Sequence, residues 1–343
     1  MKKFPSIGQF RNVVQSLKLH FHYAGRDEEG RPIYDDSRPM GKVDFHGTVK
    51  IHGTNAGISF KAGRPVQFQS RETIITPECD NAGFAGFFSE EAQLDSVRAL
   101  YNQVTAKFAI SENDEVIFFG EWCGKGIQKG CAIQELDKRF VLFGIRHVWG
   151  DTDEESTWLP FEGIKCVEAG IFNILDFPTW SFTLDLNDIP SAQSVIERYT
   201  TEVEDECPVG KAFGASGIGE GIVWTAELDG KNFRFKSKGE KHSVTKNREK
   251  VAMAPEKLAS IQAFIDYAVT ENRLQQGIDQ VFLDQVPTVK QTGKFIGWVT
   301  RDVVKEESDT MAESGLTNKE VSSAVASKAR QWFFTYLDKL VMS

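Results

Sequence analysis

From about Lys42 to Lys238 the chain is written in short β-rich runs bounded by Gly, Asp and Asn, and this texture constrains its fold more than any other feature. The runs are Thr48 to Phe60, Pro65 to Ser70, Glu115 to Trp122, Arg139 to Val148, Gly221 to Glu227 and Asn232 to Ser237. Several alternate apolar and polar residues, which turns one face of each strand to a core and the other to water, as in half-buried antiparallel sheets. Helical spacing interrupts them at Ser89 to Phe108, where Leu94, Val97, Leu100 and Val104 recur every three or four residues, and again at Asp188 to Tyr199. The expected fold class is α+β, with antiparallel sheets flanked by helices.

After Lys238 the texture changes. Pro255 suits a first helical position, and Leu258, Ile261, Phe264 and Ile265 follow on one face. The last helix, Thr317 to Leu340, opens with the capping-box pattern Thr317-Asn318-Lys319-Glu320 and aligns Val321, Val325, Ala329, Trp332, Phe333, Tyr336 and Leu340. A chain of 343 residues exceeds one comfortable core. Two domains are expected, 1–250 built on sheets and 251–343 small and all-helical, with the boundary near Val251.

Charge and cysteine usage narrow the function classes. A net charge of −9 argues against a protein that coats nucleic acid by charge alone, because phosphate contacts need Lys and Arg. The basic residues gather locally, in Lys231, Arg234, Lys236, Lys238, Lys241, Lys246, Arg248 and Lys250, while acid collects at Asp151 to Glu155 and Glu202 to Glu206. Five scattered cysteines, without a Cys-x-x-Cys pair, fit reduced thiols. With no apolar run of bilayer length and no signal-type start, the expectation is a cytoplasmic, monomeric protein without membrane contact.

The chemistry concentrates at Lys50-Ile51-His52-Gly53-Thr54-Asn55, where a strand ends on a lysine and turns on a glycine. A lysine amine is a nucleophile only when deprotonated, which burial or cationic neighbours promote. Lys236 and Lys238, two apart on one strand, share a face and can supply those neighbours while neutralising a triphosphate; they are expected to depress the Lys50 pKa. Glu121 and Glu220 end strands next to glycines, positions suited to ribose recognition by Glu121 and metal organisation by Glu220. Arg71, after Pro65 to Ser70, offers a planar fork for phosphate, and Phe143 a face for a purine. Singly, each residue has a plain alternative: a surface lysine, a strand-end charge, a core phenylalanine, a turn histidine. No Walker loop is present, since Gly214 to Gly221 lacks the lysine such a loop needs.

The order of these features resembles the motif series of the covalent nucleotidyltransferases, the DNA ligases, RNA ligases and capping enzymes. Within that superfamily the chain most resembles the RNA ligase 2 family, through Lys50 to Asn55, Ser70-Arg71, Phe119-Gly120-Glu121 with Gly126-Ile127-Gln128-Lys129, Glu220-Gly221 and Lys236-Ser237-Lys238. The resemblance implies an ATP-grasp-like nucleotidyltransferase domain and a helical C-terminal domain that engages nicked duplex RNA. It further implies ATP with Mg2+ or Mn2+, metal contacts through Glu121 and Glu220, and a lysyl-AMP on Lys50. His52, Asn55, Arg71, Glu121, Phe143, Glu220, Lys236 and Lys238 match nucleotide-site positions, and Val49 and Ile51 match positions that meet AMP through backbone. The chain departs from the pattern at Val49 and at Gly144, where the family often carries acids. Alternatives of other kinds are a GTP-dependent capping-type guanylyltransferase and a non-catalytic RNA-binding protein tracking a backbone with Lys231 to Lys250.

Overall fold

The computed structural model describes residues 1–80, 82–152, 154–242, 261–282, 286–313 and 316–342. The chain divides into two compact units, Met1–Gly239 and Glu240–Ser343.

The first unit is built on two main sheets. In the four-stranded sheet the order is β11 (Thr179–Asp185), β3 (Lys42–Lys50), β12 (Gly221–Leu228) and β13 (Lys231–Lys238), all antiparallel. In the seven-stranded sheet β10 (Ile171–Asn173), β8 (Arg139–Val148), β7 (Glu115–Cys123), β4 (Thr54–Lys61), β5 (Gln67–Ser70) and β6 (Ile74–Ile75) follow one another, with β9 (Ser156–Leu159) also paired to β8. A separate hairpin joins β1 (Tyr23–Arg26) and β2 (Pro32–Tyr34).

The alternation read from the sequence has a direct structural meaning in β3, where Val43, Phe45 and Val49 are buried and their neighbours are more exposed. Helices α1 (Phe10–His22) and α4 (Ile189–Asp205) contribute Val13, Leu17 and Ile196 to the core that holds Phe45, Trp224 and Phe235. Asp188 caps α4 by accepting from the Ser191 amide, a bond whose loss typically costs about 1 kcal/mol. On the other sheet, α2 (Phe84–Phe88) and α3 (Glu91–Thr105) place Phe84, Phe88, Val97 and Leu100 against Trp122 and Phe140. Covered on that face and facing the site on the other, β7 is buried along most of its length.

Two features differ from the sequence expectation. The Thr48 to Phe60 run breaks at the expected turn after Lys50, but its halves join different sheets: β3 ends at Lys50 in the four-stranded sheet, and β4 begins at Thr54 in the seven-stranded one. The seven-stranded sheet is also not purely antiparallel, because β10 pairs β8 in parallel. The chain reaches that register through the short 3-10 turn Val167–Ala169 and the left-handed Gly170, whose carbonyl accepts from the Phe140 amide.

The second unit is helical in its described residues, with Ile261–Ala268, Glu271–Phe282, Thr292–Glu306, Ser308–Glu313 and Asn318–Met342. Phe264, Leu274, Phe295, Val325 and Phe333 form its core, and Arg273, fully buried, pairs with Asp302 and Glu307. The expected capping box is present: the Thr317 amide donates to Glu320 at 2.8 Å and the Glu320 amide to Thr317 Oγ1 at 3.4 Å. Pro255, Leu258, the Val251 boundary, and Lys246, Arg248 and Lys250 of the basic stretch lie outside the described residues. No helix among the described residues is long and apolar enough to cross a membrane, and none of the five cysteines is in a disulfide.

Candidate active site

The site forms where the ends of β3, β12, β13 and β7 meet. Register fixes the first three: Lys50 lies opposite Gly221, and Gly221 opposite Lys238. Cross-strand partners share a face, so Lys50 and Lys238 point to the same side of the sheet. Gly221 lies between them with φ 149°, and a side chain there would meet the Ser237 carbonyl oxygen at 2.0 Å.

Glu220, only 4% exposed, is the hub. Lys50 Nζ donates to its Oε2 at 2.7 Å, Lys238 Nζ stands 3.1 Å from its Oε1, and His52 Nδ1 stands 3.1 Å from Oε2. The other ring nitrogen of His52, Nε2, lies 3.0 Å from the Lys129 carbonyl oxygen. Both of these groups are hydrogen-bond acceptors facing the ring. The turn presses closely on β7: a side chain at Gly53 would meet the Trp122 carbonyl oxygen at 2.4 Å and Glu121 Cγ at 3.0 Å. Gln128 closes the turn by donating to the Gly53 carbonyl at 3.3 Å.

These neighbours set the charges. Burial works to raise the Glu220 pKa, but Lys50, Lys238 and the His52 hydrogen bond outweigh it and hold the carboxyl well below the usual carboxylate range. Burial likewise works to lower Lys50, yet Glu220 and Glu121 outweigh it, and the ammonium is held above its ordinary pKa. This corrects the expectation that Lys236 and Lys238 depress it: Lys238 spends its charge on Glu220, and two carboxylates face the amine. Glu121 moves oppositely, pushed up to about 7 chiefly by burial and further by the Glu220 charge, against the pull of Lys50.

The remaining expected residues divide by place. Asn55 lies opposite Glu121 in the β4–β7 register, beside the cluster. Val49 and Ile51 bury their side chains in the core, leaving only backbone for the site. Lys236 lies opposite Val223, two residues along β13 from Lys238. Arg71, its side chain 45% exposed and 4.0 Å from Glu72, directly follows Ser70, which lies opposite Ala56, the neighbour of Asn55. Phe143 sits at an irregularity where β8 shifts register against β7 between Phe119 and Gly120, and packs edge-on with Phe4 at 4.8 Å. Gly144 has a physical reason to lack a side chain, because a Cβ there would lie 3.1 Å from the Trp158 ring and 3.5 Å from Phe4. Sequence reasoning assigned no role to Phe4, Trp158, Arg234 or the Lys129 carbonyl. A carbonyl contact leaves no side-chain signature, and an aromatic cluster drawn from four segments has no local spacing.

A family model described as RNA ligase matches residues 43–238, the span that runs from β3 through Lys238. The chain belongs to the RNA ligase family. No curated protein matches this family member in sequence. Among solved structures it is similar to a mutant Naegleria gruberi RNA ligase with AMP and Mn, at 16% identity and TM-score 0.40. That match covers 70% of this chain and 56% of that one, so it spans little more than half of the Naegleria ligase. An archaeal ATP-dependent RNA ligase is similar at 12% identity and TM-score 0.35, over 95% of this chain and 63% of that one.

Proposed function

We propose that this RNA ligase family member is an ATP-dependent ligase that joins a 5′-phosphate to a 3′-hydroxyl at RNA ends or nicks, acting as a monomer in the cytoplasm. The observation that supports the reading most is the convergence of Lys50, Lys238 and His52 on the single carboxylate of Glu220. An amine, a second ammonium and an imidazole gathered on a buried counter-charge suit attack on a triphosphate, and Glu220 keeps them together until phosphate oxygens replace it as their partner.

Lys50 Nζ gives a proton to solvent water, leaves Glu220 and attacks the α-phosphorus of ATP, forming the N–P bond of lysyl-AMP as the bond to pyrophosphate breaks. The RNA 5′-phosphate then displaces Lys50 from the adenylyl phosphorus. The 3′-hydroxyl finally attacks the 5′-phosphate and expels AMP. Lys236, Lys238 and His52 offset charge on the phosphates, Phe143 stacks on the purine, and the backbone at Val49 and Ile51 lines its edge. Glu121 takes the ribose hydroxyls, Asn55 the phosphate beside the turn, and Arg71 the phosphate that RNA brings. Among the described residues no group of three or more His, Cys, Asp or Glu gathers as a metal cage, while Glu121 and Glu220 lie near enough for each charge to act on the other. Two carboxylates fit Mg2+ or Mn2+ completed by phosphate oxygens and water. When bound, the metal supplies charge neutralisation at the phosphates. Residues 251–343 hold the nucleic acid.

Sealing assays on nicked RNA, nicked DNA and hybrid duplexes with ATP or GTP test the reading. The expected result is ATP-dependent sealing of RNA-containing substrates. Nucleotide transfer from GTP alone, or RNA binding without any joining, would overturn it.

A further inference from the structure

Residues 1–8 run as a strap between the two sheets. At one end Gln69 on β5 donates to the Lys2 carbonyl at 2.9 Å, and Lys3 pairs with Glu72 at 2.6 Å. At the other, Gly8 pairs in parallel with Phe235 on β13: its amide donates to the Arg234 carbonyl, and the Lys236 amide donates to its carbonyl, both at 3.2 Å. The strap therefore uses the open edge of the strand that also carries Lys236 and Lys238.

Between these anchors Phe4 enters an aromatic cluster. Its ring centroid lies 4.8 Å from Phe143, 5.5 Å from Phe119 and 5.3 Å from Trp158, each edge-on, and the Arg234 guanidinium lies 5.4 Å from it. Phe143 needs such support, because the β7–β8 ladder passes from Gly144 directly to Leu142 and leaves Phe143 without a register partner. At such an irregularity the side chain is re-aimed, and its direction is set by what packs on it. Phe4 and Trp158 fill the space that a side chain at residue 144 would take.

We propose that Phe4 is a positioning residue for the nucleotide base: the strap holds Phe143 at the angle and depth at which its ring takes the purine, without itself touching phosphate. The inference rests on the reading of Phe143 as the base platform. It implies that Phe4, unlike the Gly8 end of the strap that bonds Lys236, governs the base-dependent part of nucleotide affinity and leaves the phosphate-dependent part alone, since Lys50, Lys238 and His52 are held by Glu220. An edge-on aromatic pair contributes enough that its loss should weaken base binding about three- to tenfold.

Titration calorimetry on the full chain with AMP and with inorganic tripolyphosphate separates the two parts. For Phe4→Ala the expected result is AMP affinity down about three- to tenfold and tripolyphosphate affinity within about twofold of wild type, with the ATP KM of lysyl-AMP formation raised and its kcat unchanged. Phe4→Leu, which keeps apolar volume, should show the same split at smaller size and serves if the alanine variant does not fold. Parallel loss of both ligands would reduce Phe4 to a general packing role and overturn the proposal. So would unchanged AMP affinity in Phe4→Ala while Phe143→Ala loses it, an outcome that leaves the platform standing. If Phe143→Ala also keeps its AMP affinity, the platform reading fails and the inference with it.

Discussion

A lysine that acts as a nucleophile must first part with a proton, and Lys50 is held in the opposite state. Its amine, 20% exposed, sits on Glu220 at 2.7 Å and is kept protonated by two carboxylates. The site therefore stores the amine as half of an ion pair, and in the proposed mechanism the entry of phosphate redistributes its partners. The sequence supplied the residues of this pair but not the sign of the shift, because two lysines spaced along one strand do not reveal that Lys238 is spent on Glu220. Glu121 gives a measurable consequence in metal-free buffer. Its carboxyl is raised from 4.5 to about 7, so between those values the folded chain binds a proton that the unfolded chain does not. Stability from this group is therefore lost as pH rises towards about 7. Glu121→Gln removes that dependence, and the melting temperature of the variant relative to wild type should be higher at pH 8 than at pH 5. The difference in stability is on the order of 2–3 kcal/mol at most. An offset that does not change with pH would contradict the raised pKa.

At the scale of elements, the site depends on the turn through Ile51, His52 and Gly53, which passes the chain from one sheet to the other. Gly53 allows His52 and Glu121 to share a pocket, because any side chain there collides with the backbone of β7. Gly53→Ala should cost about 1–3 kcal/mol by thermal melting and impair lysyl-AMP formation, since the turn must lift from the strand. Gly86→Ala, in α2 with nothing within 4 Å of the added carbon, should be neutral or slightly stabilising. Equal effects of the two substitutions would contradict the close approach at Gly53. Local pattern made much of this level legible: the alternation of β3, the Leu94–Val104 spacing inside α3, and the capping box at Thr317 all recur as elements. What it left unread is sheet membership. β11 alternates Trp180, Phe182 and Leu184 with more exposed polar residues, so its strand pattern is local, but nothing in that pattern says that it pairs with β3. The β10–β8 parallel pair is set by where a 3-10 turn delivers the chain, and the Thr48 to Phe60 run carries no mark of which sheet each half joins.

At the scale of the whole molecule, the residues that match the RNA ligase family all fall within the first unit, and the second has its own helical core around Phe295 and Phe333. A unit with its own core can in principle fold alone. Deleting residues 251–343 should therefore spare lysyl-AMP formation while lowering nick sealing by at least about tenfold, as loss of nucleic-acid binding would. Equal loss of both steps in a truncated chain that still melts cooperatively would contradict the proposed division of labour. The most direct test of the central claim is the intact mass of the full chain after incubation with ATP and Mg2+. The account predicts a gain of one AMP, mapped by peptide analysis to Lys50 and absent from Lys50→Ala; AMP acquired at normal yield by Lys50→Ala, or attached to another residue of the wild type, would contradict it.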